Sequence, residues 1–205
     1  MRPFLALPLL AFAACAFKDV PLQMPPSVGT GLQGGDGRVV IVRRPFKDTR
    51  PDPGRCGMQK NGGGSATAKA VCSEPPASWL ASLLVTELRA AGFTVVETSD
   101  KPSAVELDGT VAQFFVEPLV LFSTVDVETD VKVSLSATSA SGLAAERTFY
   151  VKAVRSSAAA TPANFQKSIE IASRQIARDL VAAVLSLMNR YPELGSRWPP
   201  PGRAS

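Results

Sequence analysis

The sequence predicts an α+β fold: a mostly antiparallel sheet of about five strands, opening with a βαβ unit, with two helices packed on one face. Three observations carry this. Apolar residues recur at helical spacing over 79–91, alternation with polar residues is almost strict over 125–135, and a longer helical stripe runs over 165–191. Two helices separated by a run of strands, in the order β-α-β-β-β-β-α, make a two-layer sandwich.

Arg38-Val39-Val40-Ile41-Val42-Arg43 is a β-branched run following glycine-rich chain, and reads as a buried strand. Ser73-Glu74-Pro75-Pro76 opens the first helix, with proline tolerated in the first turn. Trp79, Leu80, Leu83, Leu84, Leu88 and Ala91 form its apolar face, and Gly92 closes it. Phe93–Val96 is a short strand, and strand–helix–strand suggests a right-handed βαβ unit. Ala104–Val116 alternates imperfectly. Val125–Leu135 alternates cleanly, with odd positions toward a core and even positions toward water. Ser139–Gly142 reads as a hairpin turn and Arg147–Val154 as the returning strand. Thr161-Pro162 is an N-cap followed by proline at the first helical position. The second helix then runs to about Tyr191, with Phe165, Ile169, Ala172, Ile176, Leu180, Val184, Leu187 and Tyr191 on one face. Pro192 stops it, and residues 192–205 read as a disordered proline-rich tail.

The N-terminus gives an address. Arg2 precedes an apolar run of about ten residues from Phe4 to Ala13, far short of the ~20 needed to span a bilayer. The run ends in Phe12-Ala13-Ala14-Cys15, which resembles a bacterial lipobox although leucine is usual where Phe12 stands. Residues 1–14 are then a lipoprotein signal peptide, and Cys15 is the lipidation site. The other possibility is an ordinary cleavage region that leaves Cys15 a free thiol. Alanine at residue 16 carries no inner-membrane retention signal, so the expectation is an outer-membrane lipid anchor facing the periplasm. Each buried acyl methylene adds ~0.8 kcal/mol to such an anchor. Residues 15–36, rich in proline and glycine, read as a flexible tether holding a single domain, 37–191, tens of ångströms off the membrane.

With Cys15 assigned to lipid, Cys56 and Cys72 remain as an even pair in an oxidising compartment. A disulfide between them would close a Gly- and Ser-rich loop of about 15 residues and add roughly 3 kcal/mol on the entropic account. The alternative is two reduced thiols in a cytosolic protein.

Composition narrows the function classes. The 205 residues are 45% hydrophobic, enough for one sizeable core. The 22 basic and 18 acidic residues give a net charge of +4, or +3 once Arg2 is cleaved away. The basic residues are not gathered into runs with aromatics among them, so nucleic acid is not an expected partner. The chain holds no histidine, which removes the commonest general base and metal ligand. No cofactor or metal site and no catalytic residue is expected. Asp126, Glu128 and Asp130 form a carboxylate row that could bind a cation or do acid–base work, but the simpler reading is a solvated sheet face.

One stretch stands out. Phe114-Phe115-Val116-Glu117-Pro118-Leu119-Val120-Leu121-Phe122 is nearly all apolar where strands should turn over. Pro118 must lie at an edge, bulge or turn. Alternation buries half of these side chains, and the rest would form an exposed tip suited to a partner or membrane contact, unless the whole stretch is core under the long helix.

Several strings resemble the YajG-like family of bacterial lipoproteins over roughly residues 38–191. They follow the lipobox and are the strand ending in Asp48-x-Arg50, a Gly57…Asn61…Gly segment, and the helix Leu83-Leu84-x-x-Glu87-Leu88-x-x-x-Gly92-Phe93. Ala104-x-x-Leu107, a Thr-rich alternating strand and the long C-terminal helix follow. The loop between Cys56 and Cys72 and the proline tail look like additions. The resemblance implies a small periplasm-facing lipoprotein with no known reaction, and related α+β lipoproteins serve as accessory subunits of envelope transport or secretion assemblies. Asp48 and Arg50 read either as an exposed site or as a loop-fixing ion pair. The expected function is a non-catalytic accessory or scaffolding subunit with an envelope protein partner. The alternative is a periplasmic carrier holding a lipid or other apolar ligand between sheet and helices.

Overall fold

The computed structural model describes residues 18–99, 104–139 and 144–190. The lipobox and Cys15, most of the expected 139–142 turn, Tyr191 and the tail 192–205 lie outside them. The fold is α+β with two helices, but the sheet is larger and less antiparallel than the sequence suggests. Among the described residues it has nine strands: β1 (Val20–Leu22), β2 (Val39–Val42), β3 (Lys47–Asp48), β4 (Gly57–Lys60), β5 (Ala66–Cys72), β6 (Thr94–Val96), β7 (Val105–Val120), β8 (Val125–Ser139) and β9 (Ala144–Ser157). Helix α1 (Pro76–Ala90) follows β5, and α2 (Pro162–Arg190) closes the described chain.

β7 is the axis of the sheet. Along one side it pairs antiparallel with β8 for its whole length. Along the other it takes three short strands in turn, all parallel: β2 at 105–107, β3 at 110–111 and β4 at Val116. β6 extends β2 in parallel, β5 pairs antiparallel with β4, and β1 adds to β5 in parallel. β9 pairs antiparallel with β8. The expected βαβ pairing of β2 with β6 is present, but β3, β4 and β5 intervene in sequence before α1. Parallel pairs form between segments distant in sequence, which no local pattern announces.

β7 carries a bulge between Val111 and Gln113. Its core positions are odd before the bulge (Val105, Leu107, Val111) and even after it (Phe114, Val116). One extra residue switches the alternation without turning the strand over, which accounts for the imperfect pattern of 104–116. β8 keeps one phase throughout, and Val127, Thr129, Val131, Val133 and Leu135 face the core as predicted.

The two helices touch each other and share this core. Trp79 on α1 meets Phe114 edge-on at 5.7 Å between ring centroids. A buried hydrogen bond of 2.7 Å joins Thr129 on β8 to Ser168 on α2, satisfying both hydroxyls. α1 ends as the sequence requires. Gly92 takes φ +92°, its N–H reaches Arg89 O at 3.0 Å, and the Phe93 N–H reaches Leu88 O at 3.0 Å. This is the Schellman closure, which needs a left-handed residue at that point. At the start of α2 the Asn164 N–H donates to Thr161 Oγ1 at 3.3 Å, so Thr161 is the expected cap.

Candidate functional site

Of the segment expected to be a flexible tether, 15–36, the described part from residue 18 onward packs against the domain. β1 places Val20 and Leu22 in the core, and Met24 is buried beside them. The Trp79 indole N–H donates to Pro25 O at 2.7 Å. Beyond it, Glu87 lies fully buried on the apolar stripe of α1. Its Oε1 accepts the Ser27 hydroxyl at 2.9 Å and the N–H groups of Val28 and Gly29 at 2.8 and 3.1 Å. Its Oε2 accepts the Thr30 N–H at 2.9 Å. Burial pushes this carboxyl upward, but the donors from Thr30, Val28, Ser27 and Gly29 outweigh it and hold the group below the usual glutamate range. A chain with few side chains of its own to bury is thus fixed through its backbone. The tether expectation rested on composition, which does not register a partner that binds N–H groups.

The stretch between Cys56 and Cys72 is likewise more ordered than a stapled loop. The cysteines form a disulfide with Cα atoms 5.8 Å apart, and between them lies the β4–β5 hairpin. Gly57 is where the hairpin meets β7: a Cβ there would come within 2.0 Å of Val116 O. Asn61 Oδ1 accepts the N–H groups of Gly63 and Ser65 at 3.1 and 3.0 Å and shapes the turn. The Val116 N–H donates to Cys56 O at 2.8 Å, and the next β7 donor toward β4 would be residue 118. Pro118 has no N–H, so the β4 ladder stops there. Pro118 itself is buried and pairs with Val127 on the other side.

Asp48 and Arg50 form an ion pair whose geometry is that of a loop clamp. Arg50, buried, binds Asp48 through Nε at 3.0 Å and its terminal nitrogen at 2.8 Å, and reaches Pro53 O at 2.7 Å and Arg55 O at 2.9 Å. The hydrogen bonds from Arg50 hold the Asp48 carboxyl below the usual range. The fork spans residues 48–55 in the way only a guanidinium can.

Two members of the carboxylate row, Glu128 and Asp130, have partners on β9, on a face where Tyr150 is exposed to solvent. Asp130 is only 9% exposed and accepts the Tyr150 hydroxyl, while Lys152 donates to Glu128 and lies 3.9 Å from Asp130. The bond to Asp130 raises the Tyr150 phenol, and the bond to Glu128 raises the Lys152 ammonium. Among the described residues no three His, Cys, Asp or Glu side chains come together as a metal-binding group.

The apolar stretch divides at its end. Phe114 and Val116 are core, and Phe115, half-buried, lies under the Arg55 guanidinium at 5.7 Å. Leu119 and Val120 are half-buried. Leu121 and Phe122 sit in the four-residue loop joining β7 to β8, closed by the Leu121 N–H to Thr124 O bond of 2.9 Å. Leu121 is 52% exposed and Phe122 108%. The stretch is therefore not core throughout, and Phe114 and Pro118, named among the candidate contact residues, are buried and leave only its end, Leu121 and Phe122, exposed.

No protein-family model and no curated protein matches the chain. Among solved structures, it is similar to a Xanthomonas campestris protein of the family-model DUF330, with a TM-score of 0.60 and 15% identity, covering 86% of this chain and 99% of that one. It is also similar to a minor lipoprotein from Acinetobacter baumannii, with a TM-score of 0.42 and 15% identity over 75% of this chain and 95% of that one. Rare lipoprotein B from Shewanella oneidensis follows at 0.37 and 12%, over 56% of this chain and 87% of that one. The first likeness shows a shared fold.

Proposed function

We propose that the chain is a lipid-anchored envelope lipoprotein of the YajG-like kind, cleaved before Cys15, held in the outer membrane facing the periplasm, and acting as a non-catalytic accessory or scaffolding subunit for an envelope protein partner. The observation that carries the reading is the Phe12-Ala13-Ala14-Cys15 string lying just ahead of an ordered domain whose other two cysteines are bonded to each other. A stable disulfide suits an oxidising compartment. The charged groups that looked most like chemistry support a structural part: Arg50 clamps a loop onto Asp48, Glu87 clamps the N-terminal segment, and Lys152 and Tyr150 occupy the carboxylate row. The carrier reading has a weaker footing. The groove between β9 and α2, about 390 Å³ and lined by Arg147, Phe149, Tyr150, Asp179 and Ala183, is an open surface cleft with charged walls.

Fractionation of cells producing the wild type and Cys15→Ala tests the reading. The wild type is expected in the outer-membrane fraction and the variant in the periplasmic extract. Equal solubility of the two would overturn it.

A further inference from the structure

The strand register places the start of the fold and the exposed apolar tip at the same end of the sheet. Val20 pairs with Ala70, Ala70 with Gly57, and Gly57 with Val116, so Val20 and Val116 lie at one level across four strands. β1 runs parallel to β5, β5 antiparallel to β4, and β4 parallel to β7. β1 is therefore antiparallel to β7. Followed backward from Val20, the chain leaves in the direction β7 takes toward Val120. The Lys69 N–H donates to Asp19 Oδ1 at 2.9 Å, which holds that direction one residue further.

The lengths agree. Cys15 precedes Val20 by five residues, and covalent geometry keeps it within about 18 Å. Phe122 follows Val116 by six, roughly 20 Å along a strand, and three strand spacings set the two strands ~14 Å apart. With residues 20–30 bound into the domain, an anchor at Cys15 cannot hold the domain tens of ångströms away. It brings this end of the sheet to the lipid. The side chain found there is Phe122, the most exposed large hydrophobic among the described residues, with Leu121 beside it.

We propose that the loop between β7 and β8 is a membrane-inserting tip: Leu121 and Phe122 enter the lipid surface that carries the Cys15 anchor, giving the domain a second contact and a fixed orientation. The inference rests on the anchored reading above. Its occupant is a lipid surface because, on that reading, the mature chain begins with an acyl-bearing Cys15 five residues ahead of β1. Exposed apolar side chains next to an interface are buried by it.

The test uses the full chain, purified from membranes with its lipid and reconstituted into phosphatidylethanolamine–phosphatidylglycerol vesicles. Phe122→Cys is labelled with a polarity-sensitive fluorophore. Cys15 carries lipid and Cys56 is bonded to Cys72, so the introduced thiol is the reactive one. Ala144→Cys, at the far end of β9 and roughly 43 Å along the strand from Ser157, is the control. Far-UV circular dichroism identical to wild type confirms folding of both. The label at 122 is expected to shift to the blue, brighten several-fold and lose most of its emission to a lipid-borne quencher, while the label at 144 does not respond. A lipidated, vesicle-bound protein whose label at 122 stays in water overturns the tip and leaves the anchor standing. A label that becomes shielded only when envelope proteins are added overturns the tip in favour of a protein contact. An intact mass without lipid at Cys15 overturns both readings.

Discussion

Glu87 and Val28 are joined by a hydrogen bond of 2.8 Å from a backbone N–H to a fully buried carboxylate. The bond turns a glycine-rich leader into part of the fold. Three further donors, from Ser27, Gly29 and Thr30, converge on the same side chain. Glu87→Gln keeps the shape but places an amide nitrogen opposite a donor N–H. An orphaned buried donor costs roughly 1–3 kcal/mol, and the remaining bonds lose their charge assistance. Urea unfolding is expected to show a loss of about 2 kcal/mol or more, and amide exchange at residues 28–30 to quicken well beyond that of the sheet.

The same carboxylate sets an acid limit. A group whose folded pKa lies below its unfolded value adds stability that is fully present above the unfolded value, about 4.3 for glutamate, and is lost as pH falls through the folded one. Glu87 is such a group. Asp48 adds to the slope in the same sense. Unfolding free energy measured from pH 7 down to about 3 should therefore fall more steeply for the wild type than for Glu87→Gln, and the two curves should converge at the acid end. Parallel curves would remove Glu87 from the account.

Arg50→Lys tests the loop clamp. Lysine keeps the charge but loses the fork that reaches Asp48, Pro53 and Arg55 together. With hydrogen bonds to charged groups worth about 1.5–3 kcal/mol, a destabilisation of about 2–3 kcal/mol is expected, with membrane attachment unchanged. A variant as stable as wild type but defective in its envelope role would make Asp48 and Arg50 a functional site.

The disulfide joins residues 16 apart across the β4–β5 hairpin. Replacing both cysteines by serine is expected to cost about 3 kcal/mol by the loop-entropy account. The hairpin also contacts β7 at Gly57, so a cooperative transition should persist at a lower midpoint.

How much of this was legible follows from where the information lies. β8 and both helices announce themselves because their periods are unbroken: Val127 to Leu135 alternate, and Phe165 to Val184 keep one helical face. β7 was half-legible because the bulge after Val111 switches phase midway. β1, with Pro21 at its centre, and β4, with Gly57 at its start, have composition that argues against strands. They exist because β5 and β7 offer partners from elsewhere in the chain. The parallel pairings of β7 with β2, β3 and β4 and of β1 with β5 were invisible for that reason, whereas that of β2 with β6 was announced by the helix between them. The clearest missed signal was Glu87, an acid beside Leu83, Leu84 and Leu88 on a buried stripe, where an unpaired charge could not stay. Read that way, it calls for donors, and the glycine-rich leader is where free N–H groups are found. The exposed tip was legible as surplus apolar residues, but its position relative to the chain start needed the register.

The central claim is that the mature chain begins at a lipid-bearing Cys15. Intact mass of the protein extracted from bacterial membranes, with and without reductant, tests it most directly. The account predicts a mass equal to residues 15–205 plus an acylated glyceryl group, and a gain of about two daltons on reduction as the bond between Cys56 and Cys72 opens. A chain that retains residues 1–14, or that is cut elsewhere and carries no lipid, would contradict it.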